Sequence, residues 1–151
     1  MDVAQVADKP MAAAEPNVAP VFTGVSHIQL NVRDTDVSAP WYSALFEMSA
    51  FASGTTAEGK YVALRHKPSR LTIVLSDADP ADLGFGDRRM GMNHLALAVA
   101  TADELERWAE RLDALGISFF RTSDDGRGSP SLILRDPDHI QLELIAPAPR
   151  P

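Results

Sequence analysis

The chain writes one short strand twice: GVSHIQLNV at residues 24–32 and GMNHLALAV at residues 91–99. Each copy opens on glycine, places a histidine three residues later (His27, His94), and runs on through leucine to valine. Alternation with a period of two marks a strand that buries one face. In the first copy Val25, His27, Gln29 and Asn31 share one side, and Ile28, Leu30 and Val32 share the other. A histidine kept at the same place in both copies needs a reason, and the surrounding sequence supplies one.

The repeat extends well beyond the strand. At a constant offset of sixty-seven, Gly24 meets Gly91, His27 meets His94, Asp36 meets Asp103, Trp41 meets Trp108 and Leu45 meets Leu112. After the first strand, read over Val21 to Val32, the period changes. Val37, Trp41, Leu45 and Met48 stand at helical spacing over 35–48, with Asp36 or Ser38 as the cap and Pro40 tolerated in the first turn. Three short strands are expected next, around Ser49–Ser53, Tyr61–His66 and Leu71–Ser76, divided by turn-rich segments. The same order then restarts. A strand over His94–Ala100 leads to a helix opened by Thr101 and Glu104 as a capping box. Leu105, Trp108, Leu112 and Leu115 are its apolar positions, and Gly116 is its stop. Strands at Ser118–Arg121, Ser131–Arg135 and Ile140–Ile145 follow. The expected fold is therefore α+β: two tandem β-α-β-β-β modules, about 22–77 and 90–146, forming a curved eight-stranded sheet around a cleft.

Composition sets the outer limits. The chain has 151 residues, suited to one domain of two modules sharing a core. A net charge of -7, with scattered Lys and Arg, argues against a nucleic-acid partner. An acidic surface suits cationic ligands instead. Cysteine is absent, which excludes disulfides, thiolate nucleophiles and cysteine-type zinc sites. Residues 1–21, rich in Ala and Pro, read as a mobile tail and as neither signal peptide nor membrane span, and 147–151 read as a short C-terminal tail. No membrane partner and a cytoplasmic location are expected.

If the two first strands meet across the pseudo-twofold axis, His27 and His94 converge in the cleft, and two neutral imidazoles suit a borderline divalent metal. The last strand, HIQLELIAP, adds Glu143 in an otherwise apolar context, where an unpaired acid would be costly. A metal or a salt bridge would account for it.

The run GVSHIQLNVRDTD, the WY-containing helix, GMNHLALAV and RDPDHIQLEL together resemble the vicinal oxygen chelate superfamily. That group includes glyoxalase I, extradiol ring-cleaving dioxygenases, fosfomycin-inactivating thiol transferases and bleomycin-resistance proteins. The resemblance spans about Phe22 to Ala146 and implies the paired-module fold that the repeat predicts independently. It also implies metal ligands at His27, His94 and Glu143. Glyoxalase I type sites carry a fourth acid at the mate of Glu143; here Val74 stands there, or Ile73 if the register slips by one. Two histidines, one carboxylate and open positions suit Fe(II) best, with Mn(II) or Zn(II) also compatible.

The expected function is thus a small metal-dependent enzyme, a ring-cleaving extradiol-like or related oxygenase acting on a small molecule. No acid-base catalytic residue is legible. The alternative is a metal-free binder of the bleomycin-resistance type that sequesters a cationic or planar compound; a glyoxalase-like lyase or thiol transferase ranks below both. Gln29, Arg65, Arg135 and His139 are candidate substrate contacts. Arg65 and Arg135 stand at equivalent strand ends and would anchor an anion, although paired strand-end charges are the commoner case. His139 occupies a turn position where relatives often carry glycine. A symmetric homodimer is expected, and the sequence leaves open whether His27 meets His94 within one chain or between two.

Overall fold

The computed structural model describes residues 23–57, 59–79, 81, 84–86, 91–123 and 128–148. The tail expected at 1–21 lies outside them, as does most of the one at 147–151. Element order is β1 (Ile28–Val32), α1 (Thr35–Phe46), β2 (Ser49–Thr56), β3 (Gly59–Arg65), β4 (Thr72–Asp77), β5 (Leu95–Ala98), α2 (Ala102–Ala114), β6 (Phe119–Thr122), β7 (Ser131–Arg135) and β8 (Gln141–Ile145). The β-α-β-β-β plan is present twice.

The eight strands form two four-stranded sheets, ordered β1-β4-β3-β2 and β5-β8-β7-β6. In each, the first strand pairs parallel with the last, and the other pairings are antiparallel. The helix between the first two strands makes this topology possible, because it carries the chain across the sheet so that the following meander can return beside the first strand.

One face of each sheet packs on the helices. Leu30 and Val32 of β1, Leu64 of β3, Ile73 and Leu75 of β4, Leu132 and Leu134 of β7, and Leu142 and Leu144 of β8 are all buried in a single cluster with Leu45 of α1 and Leu112 of α2. Each such side chain contributes about 1.5–3 kcal/mol by leaving water. The opposite, open face exposes Gln29 and Asn31 on β1, Ala96 and Ala98 on β5, and Phe120 on β6.

Helix α1 buries Leu45 and half-buries Trp41 as its apolar spacing predicts, with Met48 buried just beyond it, but its buried face is turned away from Val37. Thr35, Ser38, Tyr42, Leu45 and Phe46 are buried, whereas Val37 is 56% exposed. Polar partners explain the rotation. Thr35 N donates to Asp77 Oδ1 (2.8 Å), Ser38 Oγ to Asp138 Oδ2 (3.3 Å), and Tyr42 Oη to Asp136 Oδ2 (2.9 Å). The cap is Asp34, whose side chain accepts from Asp36 N, so Asp36 and Ser38, the residues expected to cap, both lie inside the helix. On α2 the Thr101 cap holds, with Thr101 Oγ1 accepting from Glu104 N (3.1 Å), and Gly116 ends the helix region at φ 68. Leu115 is 43% exposed, and Ala109 takes its place in the buried stripe.

The modules are joined through their helices and the 136–138 turn. Phe46 and Trp108 rings lie 5.8 Å apart, and Arg111 on α2 donates to Leu45 O and Ala44 O, both at 2.8 Å, at the end of α1. Those carbonyls belong to the last turn of α1, where no backbone N–H of the helix can reach them, so the guanidinium caps α1 from its neighbour.

Candidate metal centre

The two repeated strands begin one residue later than their histidines. His27 directly precedes β1 and His94 directly precedes β5, and both are exposed. Strand alternation puts each imidazole on the open face of its sheet, in phase with Gln29 and Ala96. On the same open face of β8, Glu143 stands between Ala96 on β5 and Ile133 on β7.

His94 Nε2 and Glu143 Oε2 are 3.3 Å apart, and the Glu143 side chain is only 13% exposed. The other ring nitrogen, Nδ1, lies 2.6 Å from Asn93 Oδ1. A carboxamide oxygen can only accept, so Nδ1 carries the hydrogen in a neutral ring, and Nε2 then turns a lone pair toward the carboxylate. Two lone-pair donors facing each other are stable either with a proton between them or with a cation beside both. His27 has a parallel neighbour: its Nδ1 lies 3.4 Å from Ser26 Oγ, the repeat-equivalent of Asn93.

The donor set fits a divalent ion. Bonds of about 2.0–2.2 Å put two ligands of one ion about 3–3.5 Å apart, the spacing His94 and Glu143 have, and a hydrogen-bond acceptor on the far nitrogen is the usual companion of a metal-bound histidine. Within one chain, however, no group of three or more His, Cys, Asp or Glu able to hold a metal forms among the described residues. His94 and Glu143 come together; His27 stays on the first sheet.

Register settles the choice between Val74 and Ile73. Val74 pairs with Gln29 and Ala63 as Glu143 pairs with Ala96 and Ile133, whereas Ile73 is fully buried on the helix side. The mate of Glu143 is therefore an aliphatic side chain that cannot ligate.

The remaining candidates separate. Gln29 donates to Ser76 Oγ (2.8 Å) across the open face of the first sheet. Arg65 Nε donates to Thr72 Oγ1 (3.2 Å) on the same face. Arg135 Nη1 donates to His139 O (3.0 Å), so that arginine braces the turn before β8. His139 holds φ 66, a backbone conformation suited to glycine, and its exposed ring lies at that turn. Sequence reasoning missed the polar link behind the site. Asp136 is 4% exposed; its Oδ1 accepts from Asp138 N (2.9 Å) and Ile140 N (2.8 Å), and its Oδ2 from Tyr42. Burial, with the Asp138 charge adding to it, raises its pKa above the usual carboxylate range despite these donors. The signal was present in DPD, but its partner Tyr42 is 94 residues away and only folding reveals it.

No helix of the described residues is long and apolar enough to cross a membrane. The model of the Glyoxalase/Bleomycin resistance protein/Dioxygenase superfamily matches residues 24–144. Among solved structures, the chain is similar to a glyoxylase/bleomycin resistance protein/dioxygenase domain from Frankia sp. EAN1pec, with 30% identity and TM-score 0.74 over 83% of this chain and 93% of that one. A mutant of the fosfomycin resistance protein FosX from Listeria monocytogenes, complexed with Mn(II) and 1S,2S-dihydroxypropylphosphonic acid, shares the fold at 21% identity and TM-score 0.62, over 83% and 90% of the two chains. Lactoylglutathione lyase from Agrobacterium tumefaciens does so at 20% identity and TM-score 0.63, over 83% and 94%. No curated protein matches the sequence.

Proposed function

The chain belongs to the glyoxalase/bleomycin resistance protein/dioxygenase superfamily, and we propose that it is a metal-dependent enzyme of that group whose divalent ion is held by His27, His94 and Glu143. The observation that carries this reading is the His94–Glu143 pair: a largely buried carboxylate on an open sheet face, 3.3 Å from an imidazole whose other nitrogen is already committed to Asn93. The separation of His27 from that pair supports a homodimer in which the second copy's His27 completes the ligand set. Exposed Phe51 and Phe120, one on an edge strand of each sheet, are apolar surface that such an assembly would cover.

Bound at such a site, the ion supplies Lewis-acid polarisation of adjacent substrate oxygens and, as Fe(II), electrons for oxygen chemistry. The protein's own part is to hold Glu143 on β8 and the two histidines at the starts of β1 and β5, fix the His94 tautomer through Asn93, and leave the Val74 position free of a fourth ligand. An aliphatic residue there favours a three-ligand site with open positions over a four-ligand glyoxalase I type site. We favour ring-cleaving or related oxygenase chemistry with Fe(II); the Mn(II) held by FosX supports a divalent ion in this fold and keeps Mn(II) as the second choice.

Elemental analysis of protein purified without chelator, with His27→Ala in parallel, tests the proposal. About one equivalent of Fe, Mn or Zn per chain, lost in the variant, is expected. No metal after anaerobic reconstitution would transfer the fold to ligand sequestration without metal.

A further inference from the structure

The open face of the first sheet carries a charge that the metal site does not use. Strands β1 to β4 contain three formally charged residues, Lys60, Arg65 and Asp77. Two turn to the helix side: Asp77 Oδ1 accepts from Thr35 N at the start of α1 (2.8 Å), and Lys60 pairs with Asp36 of the same helix. Arg65 alone stands on the open face. Its Nε donates to Thr72 Oγ1 (3.2 Å), and its guanidinium carbon lies 4.9 Å from the centre of the Phe51 ring. The register of β2 against β3 shifts between Ala50 and Ala52, which makes Phe51 the bulged residue that meets the arginine. Among the described residues no carboxylate pairs with Arg65. In a chain of net charge -7, a guanidinium held by a hydroxyl and an aromatic ring, with no acid beside it, is a positive site kept for something else.

Its position relates it to the first histidine. The β1–β4 register begins at Ile28 and Ile73, so His27 falls beside Thr72, and Thr72 is the register partner of Arg65. Histidine, threonine and arginine thus form one row across three neighbouring strands. At about 4.8 Å per strand, His27 and Arg65 are about 10 Å apart at the backbone, with both side chains on the same face. Because Thr72 takes only Nε, the two terminal nitrogens remain as the fork that matches the two oxygens of an oxyanion. The second sheet repeats the row as His94, Gln141 and Arg135, but there the arginine is used on His139 O.

We propose that Arg65 is the anion-recognition residue of the site, and that the substrate is a small organic acid. Its carboxylate or phosphonate lies against the Arg65 fork, with the Phe51 ring beside it, while adjacent oxygens at its other end face His27. The second half of that statement rests on the metal-enzyme reading; the first does not. An uncompensated guanidinium on this face also argues against a cationic ligand, the class that the chain's overall acidity suggests.

Two titrations test the inference. Metal-free protein is titrated with acetate, methylphosphonate and tetramethylammonium while the Arg65 Nε–Hε resonance, assigned by its loss in Arg65→Lys, is followed by NMR. A saturable shift with an anion and none with the cation is expected, with affinity by calorimetry falling about tenfold or more in Arg65→Gln; the tighter anion identifies carboxylate or phosphonate. No saturable shift with either anion, or equal affinity in Arg65→Gln, overturns the assignment whether or not the protein binds metal. Mn(II)-loaded protein is then titrated with 3,4-dihydroxybenzoate and 4-methylcatechol, which share chelating oxygens and differ in the acid. About tenfold preference for the acid, lost in Arg65→Gln at unchanged Mn(II) affinity, supports the full proposal, and parity in the wild type overturns it. Failure of the wild type to bind Mn(II) would instead refute the metal site and leave the first titration to decide the anion site.

Discussion

His94 Nε2 faces Glu143 Oε2 at 3.3 Å while Asn93 Oδ1 engages the other side of the same ring. The arrangement makes Glu143 dependent on a positive partner. Replacing Glu143 by Ala removes one of the three proposed ligands and a largely buried charge, so metal occupancy should fall by at least about 100-fold while the fold persists. Asn93→Ala, which frees the tautomer without touching a ligand, should weaken metal binding by about 10–100-fold. Metal titration beside circular dichroism checks both; full occupancy in Glu143→Ala would remove the residue from the site.

Val74 invites the opposite experiment. It stands where Glu143 stands in the second module, so Val74→Glu places a fourth donor at the symmetric position. Zn(II) affinity should rise about tenfold or more, and any oxygen-dependent activity should fall as an open coordination position is filled. Unchanged Zn(II) affinity would mean that the two modules do not meet around one ion.

The Tyr42–Asp136 hydrogen bond predicts a pH dependence. Burial raises the Asp136 pKa in the folded state, so folding favours the protonated acid. Its contribution is fully present below the unfolded pKa, near 4, and is lost as pH rises through the higher folded value. Asp136→Asn keeps acceptors for Ile140 N and Asp138 N and a donor toward Tyr42, and should abolish that slope. Denaturant melts between about pH 4 and 7 should therefore show the variant gaining on the wild type as pH rises; parallel curves would contradict the buried-acid account.

Tyr42 behaves in the same sense at alkaline pH. Burial, reinforced by the Asp136 charge, raises its pKa far above the usual phenol value, so folding demands the neutral ring. Stability should decline above about pH 10, where the unfolded phenol ionises. Tyr42→Phe should remove this alkaline loss while costing about 1–3 kcal/mol at neutral pH, because Asp136 loses a donor it cannot replace. An unchanged alkaline limb would assign the loss to other groups.

Arg111 is the test of module coupling. It donates to Ala44 O and Leu45 O and pairs with Glu47 at 3.3 Å. Arg111→Ala should cost about 1–3 kcal/mol through the orphaned carbonyls at the end of α1, with little change in metal affinity. Chemical denaturation resolves the cost, and a neutral outcome would mean that water caps α1 equally well.

The sequence determined the two modules, the order of their elements along the chain and the two sides of each first strand, because period, caps and a duplicated register are local properties, whereas the division of the eight strands into two four-stranded sheets came from the tertiary structure. GVSHIQLNV and GMNHLALAV fixed which side each histidine takes, and the lone acid in HIQLELIAP marked Glu143. Local pattern placed Leu45 and Met48 correctly but misjudged the first turn of α1, where Val37 was expected inside and is outside. The face it buries is chosen by distant acceptors, Asp77, Asp136 and Asp138, that no short window contains. Tertiary structure alone decided that Val74, not Ile73, is the mate of Glu143, that His94 reaches Glu143 while His27 does not join them, and that Arg65 is left without an acid. Each of those is a relation between strands, set by cross-strand register and by which face a neighbour covers, and neither is written in the residues of one strand.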